Sequence, residues 1–291
     1  MFWRTEIEPI SIPLSISHQN ELVFLGSCFS ENIGKRFLER KFKTVINPCG
    51  IIFNPISLAN LLLSKKIDHR LAFTRDGDLY NYSFQSPNVD LSSLLRIQEK
   101  VNKAKVVFLT LGSAFVYEHI DTKEVVTNCH KQDSRLFRKR LLTVDEIVVL
   151  LKRLKEAYPK QSFVYTVSPI RHTKEGLANN QLSKSILRVA IDQLLSDDVF
   201  YFPSYEMMID DLRGYRYYEK DMIHPSDLAI DYIWSKVVEV FFNEATKKEL
   251  NTIESIISRM NHKIMNPQAE DSIKFRAKLE ADIVSSPYTW H

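Results

Sequence analysis

The stretch ELVFLGSCFSENIG, Glu21–Gly34, decides the fold. Its apolar run climbs to a glycine followed by Ser27 and Cys28. Behind Ser30, a good N-cap, Ile33, Phe37, Leu38 and Phe42 then recur at helical spacing. That is a strand, a tight turn and a helix, with a thiol placed just before the helix start.

Further along, FKTVINP reads as a short second strand, and CGIIFNPISLANLLL turns into a helix over 54–63. RLAFTRDGDLYNYSF alternates about Asp76-Gly77-Asp78 and predicts a β-hairpin insertion. AKVVFLTLGS, Ala104 to Ser113, is a continuous apolar run of the kind found in a sheet covered on both faces. A polar, basic connector leads to TVDEIVVLLKRLKEAYP, where Thr143 and Glu146 form a capping box and Pro159 marks the end. SFVYTVSP is the fourth strand, NNQLSKSILRVAIDQLLSD the next helix, and DVFYFPSYE the fifth strand. HPSDLAIDYIWSKVVEVFF closes the core with proline in its first turn. This alternation predicts a three-layer α/β/α fold with a doubly wound parallel sheet of about five strands. We read 1–243 as one α/β domain with an insertion over about 54–100. The charged, helical stretch 244–291 is read as an arm packed on that domain.

Composition narrows the function classes. The chain has 291 residues, 44% hydrophobic and 26% charged, and its net charge of +3 is too balanced to imply nucleic acid as a partner. Its N-terminus, MFWRTEIEPISIPLSIS, carries charges and prolines in place of a signal-peptide core, and no segment has the length of a membrane span. We expect a cytoplasmic protein. Cys28, Cys49 and Cys129 are an odd number with no C-x-x-C pair, which argues against a disulfide framework and a structural zinc site. No cofactor motif is present and none is expected; the oligomeric state stays open.

In such a sheet the loops after strands one, three, four and five converge on one edge. Here they are GSCFS, GSAFVYE with NCHK, SPIRH, and YEMMIDDLRGYRYYEKDMIHPSD. The helix start beside Cys28 favours a thiolate, which makes it a candidate nucleophile; the alternative is a buried small hydrophobe. His224 follows Asp221 by three residues, so the carboxylate can orient the ring while its other nitrogen faces the nucleophile. Arg171 has two readings: it binds an anionic group, or it pairs with carboxylates of the 206–221 segment. His172 gains no preferred role. Cys129 and His130 are adjacent and point opposite ways on an extended chain, so joint metal ligation is not expected. DSRLFRKR is one short basic run on a nearly neutral chain and reads as a solvated connector.

With FLGSCFSENIG, TLGSAFVYE, TNCHK, TVSPIRHT, FPSYEMMIDDLRGYRYYEKDMIHPS and AIDYIW in order, the chain resembles the GSCFA family from about Phe24 to about Trp234. That family is related to the SGNH or GDSL hydrolases, which are esterases and lipases of flavodoxin-like fold. The resemblance implies that Gly26-Ser27-Cys28 occupies their Gly-Asp-Ser block, with Cys28 as nucleophile, and that Asp221 to His224 supplies the base and its orienting acid. It implies an oxyanion hole made of the Cys28 N–H, a glycine for which Gly50 is the counterpart, and an asparagine in a block that begins at Gly112. That asparagine falls at Ala114 in this sequence, leaving Asn128 or Asn54 as replacement donors. Loss of one donor costs about 10²- to 10³-fold in rate. Ser27 is the second choice for nucleophile.

The leading expectation is therefore a hydrolase or acyltransferase acting on a small or acylated substrate, an ester or thioester, through Cys28, His224 and Asp221. A second reading is a binding protein that keeps the cleft without turnover, where Tyr117, Arg171, Tyr205, Arg213 and Tyr218 grip a polar ligand such as a carbohydrate. A third, phosphoester hydrolysis, rests on Arg171 and the cysteine at a helix start; no glycine-rich phosphate cradle surrounds Cys28.

Overall fold

The structure is a computed structural model that describes residues 5–8, 10–263, 266 and 268–290. Met1 to Arg4 of the N-terminal stretch, Pro9, and four residues of the C-terminal tail (264, 265, 267 and 291) lie outside the described residues. The elements run β1 (Glu21–Gly26), α1 (Cys28–Glu39), β2 (Lys43–Ile46), α2 (Pro55–Leu63), β3 (Ala72–Arg75), β4 (Asp78–Asn81) and α3 (Leu91–Lys103). β5 (Val106–Leu111), β6 (Phe115–His119), β7 (Val125–Val126), β8 (Phe137–Leu141), α4 (Val144–Ala157), β9 (Ser162–Val167), α5 (Leu177–Asp192) and β10 (Val199–Tyr201) follow. The chain continues through α6 (Ser204–Glu206), α7 (Asp227–Phe241), α8 (Glu244–Met260) and α9 (Glu270–Ser285).

The central sheet is parallel, in the order β10-β9-β5-β1-β2. Numbered by its own five strands this is 2-1-3-4-5, the flavodoxin-like order, so the three-layer α/β/α expectation holds. Alternate residues of each strand feed opposite cores. Leu22 and Phe24 of β1, with Val106 and Phe108 of β5, pack under α1 and α7 against Phe37, Ile233, Trp234 and Phe241. Val23, Leu25, Val107 and Leu109 face the other way, toward Leu58, Leu61, Ile97, Ile147, Leu151 and Leu187 of α2, α3, α4 and α5. Being covered on both faces is why β5 reads as an unbroken apolar run.

Three local readings are corrected. Ser27, not Ser30, caps α1: its hydroxyl accepts the Phe29 N–H at 3.2 Å, and the helix starts at Cys28 itself. Ser30 is buried inside the first turn, where its Oγ bonds the Leu25 carbonyl at 3.0 Å and the Thr110 hydroxyl at 3.0 Å. Ser226, not Pro225, opens the closing helix; its Oγ accepts the Ala229 N–H, and the proline lies one residue outside the cap. The polar connector after β5 is itself a three-stranded antiparallel sheet, β7-β6-β8. Its strands were masked by charge: Arg138 and Arg140 of β8 grip Glu118 of β6, whose side chain is 11% exposed. The β3–β4 hairpin about Asp76-Gly77 and the Thr143–Glu146 capping box form as expected.

Beyond α7, Leu250 of α8 enters the α1/α7 core and the Thr246 hydroxyl bonds the Ile16 carbonyl at 3.1 Å. An Arg259–Asp282 pair at 2.6 Å joins α8 to α9, which has no buried residue. Among the described residues no helix is long and apolar enough to cross a membrane.

Candidate functional site

The strand order reverses between β1 and β5, and ligands in open α/β sheets bind outside the strand C-termini at such a point. Here Gly26 and Thr110 sit in register. The glycine is obligatory: its φ is +135°, and a Cβ would lie 2.2 Å from the Thr110 carbonyl oxygen. That close approach aims the next residues over the sheet edge. Asn47, after β2, fixes the turn from below, since its Oδ1 accepts the Gly26 N–H at 2.9 Å.

Cys28, at the first helical position, is half-buried and lies against the α1/α7 core together with Ile223. Its N–H stands at the helix start, where the first turn's donors lack intrahelical partners, and it makes no hydrogen bond to another residue among the described residues. The thiol differs from expectation. Burial first, and then the Glu31 carboxylate one turn on, push it above its ordinary range, and its own backbone N–H opposes them only in part. The helix-start contribution is outweighed, so Cys28 is held as a thiol. Ser27 is fully committed: its Oγ donates to Ser168 Oγ at 2.9 Å while capping α1, and its N–H donates to the Thr110 carbonyl at 3.2 Å.

On the far side of the edge, residues 214–226 form a small hairpin. Tyr218 bridges Pro225, Glu219 N–H donates to the His224 carbonyl at 2.8 Å, and Ser226 N–H to the Tyr217 carbonyl at 2.8 Å. At its tip Asp221 Oδ1 accepts the N–H groups of Ile223 at 2.8 Å and His224 at 3.0 Å. Its Oδ2 lies 2.6 Å from His224 Nδ1. These bonds, the His224 N–H foremost and then its ring, pull the Asp221 carboxyl down to about 2. The carboxylate therefore fixes Nδ1 as the protonated nitrogen, and Nε2 has no hydrogen-bond partner among the described residues. No hydrogen bond joins His224 to Cys28.

The β9 loop links the two halves. Ser168 holds Ser27, Arg171 N–H donates to the Ile223 carbonyl at 3.2 Å, and Arg171 Nη1 donates to the Met222 carbonyl at 3.2 Å. The guanidinium lies 5.0 Å from the Tyr218 ring centre and 5.7 Å from that of Tyr215. The expected partnership with carboxylates of 206–221 is absent among the described residues; aromatic faces and a carbonyl take its place.

Beneath these loops sits Lys184 of α5, 1% exposed, with its Nζ donating to the Gly112 carbonyl at 2.7 Å and the Ser168 carbonyl at 2.8 Å. Burial lowers the amine to about 7. His172 lies beside it, its N–H donating to Asn180 Oδ1 at 2.9 Å and its ring 5.3 Å from Phe53. Burial first, then the Lys184 charge, push the His172 imidazole down to about 4, with His224 adding a smaller push. Lys184 was missed in the sequence, although its place could be read: Asn180, Ser183, Leu187, Ala190 and Ile191 form the buried stripe of α5, and Lys184 falls on it.

The expected oxyanion donors fare less well. Gly50 N–H donates to the Asn47 carbonyl at 2.8 Å in a turn, Gly112 N–H to the Phe53 carbonyl at 2.7 Å, and Ala114 N–H to Ser183 Oγ at 2.7 Å. Asn54 is spent as the N-cap of α2, with Oδ1 on the Ser57 N–H and Nδ2 on the Ser57 hydroxyl. Asn128 lies with the β3–β4 hairpin, its N–H on the Tyr82 carbonyl and its Oδ1 on the His130 N–H. Tyr205 is buried against α5, its OH donating to Gln181 Oε1 at 2.6 Å, and burial raises it to about 12. A cavity of about 1030 Å³ opens elsewhere, lined by Arg188, Tyr201, Glu206, Asp210 and Arg213; neither Cys28 nor His224 reaches it.

The flavodoxin-like sheet thus presents a Gly-Ser-Cys turn after its first strand and an Asp-x-x-His hairpin before its last core helix. The chain belongs to the GSCFA family, whose model matches residues 21–237. Two solved structures are similar to it at low level. A family 3 carbohydrate esterase of Clostridium thermocellum is 9% identical, with 80% of this chain and 98% of that one covered and a TM-score of 0.36. A carbohydrate esterase family 3 structure from Talaromyces cellulolyticus is 11% identical, covering 81% and 99%, with a TM-score of 0.37. No curated protein matches the sequence.

Proposed function

We propose that this chain hydrolyses an ester or thioester, or transfers its acyl group, through Cys28, His224 and Asp221. The observation that carries the reading is the 2.6 Å Asp221–His224 contact, made on a hairpin whose Ile223 shares a core with Cys28. Because the thiol is held protonated, attack and proton transfer go together: His224 Nε2 takes the Cys28 proton as Sγ bonds the carbonyl carbon. The Cys28 N–H at the helix start faces the developing oxyanion. Collapse breaks the bond to the leaving oxygen or sulfur, which receives the proton from His224, and a thioester remains on Cys28. Water or an acceptor alcohol, deprotonated by His224, then releases the acyl group and restores the thiol. Asp221 orients the ring and stabilises the transient imidazolium.

Turnover of 4-nitrophenyl butyrate and its thioester analogue by wild type, Cys28→Ala and His224→Ala tests this reading. Wild type is expected to turn over, and both variants are expected to lose that activity. Full activity in Cys28→Ala overturns the assignment.

A second reading, binding without turnover, is favoured by one observation: the N–H groups of Gly50, Gly112 and Ala114 are all engaged within the protein. Under it none of the esters is hydrolysed by wild type.

A further inference from the structure

We propose that Arg171 makes this site selective for substrates bearing a free carboxylate close to the scissile bond; the inference deepens the hydrolase reading and rests on it.

Two other arginines of this chain show what an open guanidinium edge binds. Arg70 and Arg135 each present the edge formed by Nε and Nη2 to an aspartate two residues earlier. Arg70 Nε lies 2.9 Å from Asp68 Oδ1 and its Nη2 2.5 Å from Oδ2; Arg135 Nε lies 3.1 Å from Asp133 Oδ1 and its Nη2 2.5 Å from Oδ2. That edge, with two parallel N–H groups, is the one that takes a carboxylate bidentately. Two residues before Arg171 stands Pro169, so the local partner is missing. Arg171 spends Nη1 on the Met222 carbonyl, and among the described residues Nε and Nη2 have no acceptor. Neither nitrogen is sealed in the interior.

The open edge is also held still and placed well. The Tyr218 and Tyr215 rings flank the guanidinium at 5.0 and 5.7 Å, and the bonds from Arg171 to Ile223 and Met222 tie it to the two residues that precede His224. A guanidinium already immobilised on aromatic faces loses little side-chain entropy when an anion arrives. The nearby Asp221 carboxylate is taken by the His224 ring, and no ion pair joins Arg171 to a carboxylate among the described residues. A carboxylate completes this surface as Asp68 and Asp133 complete theirs.

The test uses ester pairs that differ only in a free or methyl-capped carboxylate. Mono-(4-nitrophenyl) glutarate and its methyl ester place the charge in the acyl half; 4-acetoxybenzoate and its methyl ester place it in the alcohol half. After subtraction of the uncatalysed rate, wild type should favour the free acid of one pair in kcat/KM by about 10- to 100-fold, the range of a charge-assisted hydrogen-bonded pair. The favoured pair tells which half of the substrate Arg171 reads. Arg171→Met should bring the ratio close to one, mainly through KM, and Arg171→Lys should restore only part of it. Equal turnover of free and capped forms by wild type, or a ratio unmoved in Arg171→Met, overturns the proposal while leaving the hydrolase reading intact. If no ester is turned over, glutarate binding by calorimetry decides independently: binding by wild type that weakens at least tenfold in Arg171→Met supports the carboxylate site. Equal or absent binding sinks it.

Discussion

Two histidines meet the same sheet edge in opposite company. His224 stands on an exposed hairpin, its side chain 41% exposed, with a carboxylate 2.6 Å from Nδ1. His172 is buried against a lysine amine and is driven to about 4. A carboxylate supports an imidazolium and an ammonium suppresses one, so the neighbour, more than the histidine, assigns the work. Asp221 orients the His224 ring, whereas His172 is neutral throughout the physiological range and belongs to the loop scaffold.

The largest way to break this contrast is to remove each ring. His224→Ala should lower kcat/KM on a confirmed substrate by up to about 10⁴-fold. A His172→Asn variant, which keeps a polar side chain in the pocket, should fall far less. Comparable losses in the two would erase the distinction.

Next in size is the amine itself. Lys184→Met leaves the Gly112 and Ser168 carbonyls without their donor in the interior, which should destabilise the fold by roughly 2–4 kcal/mol in denaturant titration. Its pH signature is sharper than its size. The folded amine titrates at about 7, below its ordinary 10.5. Between those values the unfolded chain keeps a proton that the folded chain has released. The Lys184 contribution to stability therefore rises with pH in that window, by at most about 1.4 kcal/mol per unit. The stability difference between wild type and Lys184→Met should grow from pH 7 to 8.5, and a flat difference would show that the amine stays charged inside.

The smallest effect is on reactivity. Cys28 should be alkylated by iodoacetamide with a pH midpoint above the ordinary thiol value of about 8.5, because burial and Glu31 oppose ionisation. Glu31→Gln should move that midpoint down by a fraction of a unit. A wild-type midpoint below 8.5 would replace concerted proton transfer with a standing thiolate.

Much of this was legible in the chain. The helix and strand periods gave the central sheet, and Asp221 and His224 were readable because a three-residue spacing lets a carboxylate reach both the backbone and the ring. Other features were not. Ser27 and Ser30 are equally good caps, and only the approach of Gly26 to Thr110 sets which residue opens α1. β6 and β8 hid because their alternation is written in Arg and Glu that pair across the strands, and such a pattern resembles a solvated loop.

The layers, the alternation of strands and helices and the three-residue Asp221–His224 spacing were written in the sequence, since each depends on residues close along the chain. Packing settled the state of Cys28, the engagement of the Gly50 and Gly112 N–H groups, and the Nε–Nη2 edge of Arg171, which has no acceptor among the described residues. Those properties depend on burial and on partners from distant segments, and desolvation has no signature in a linear pattern.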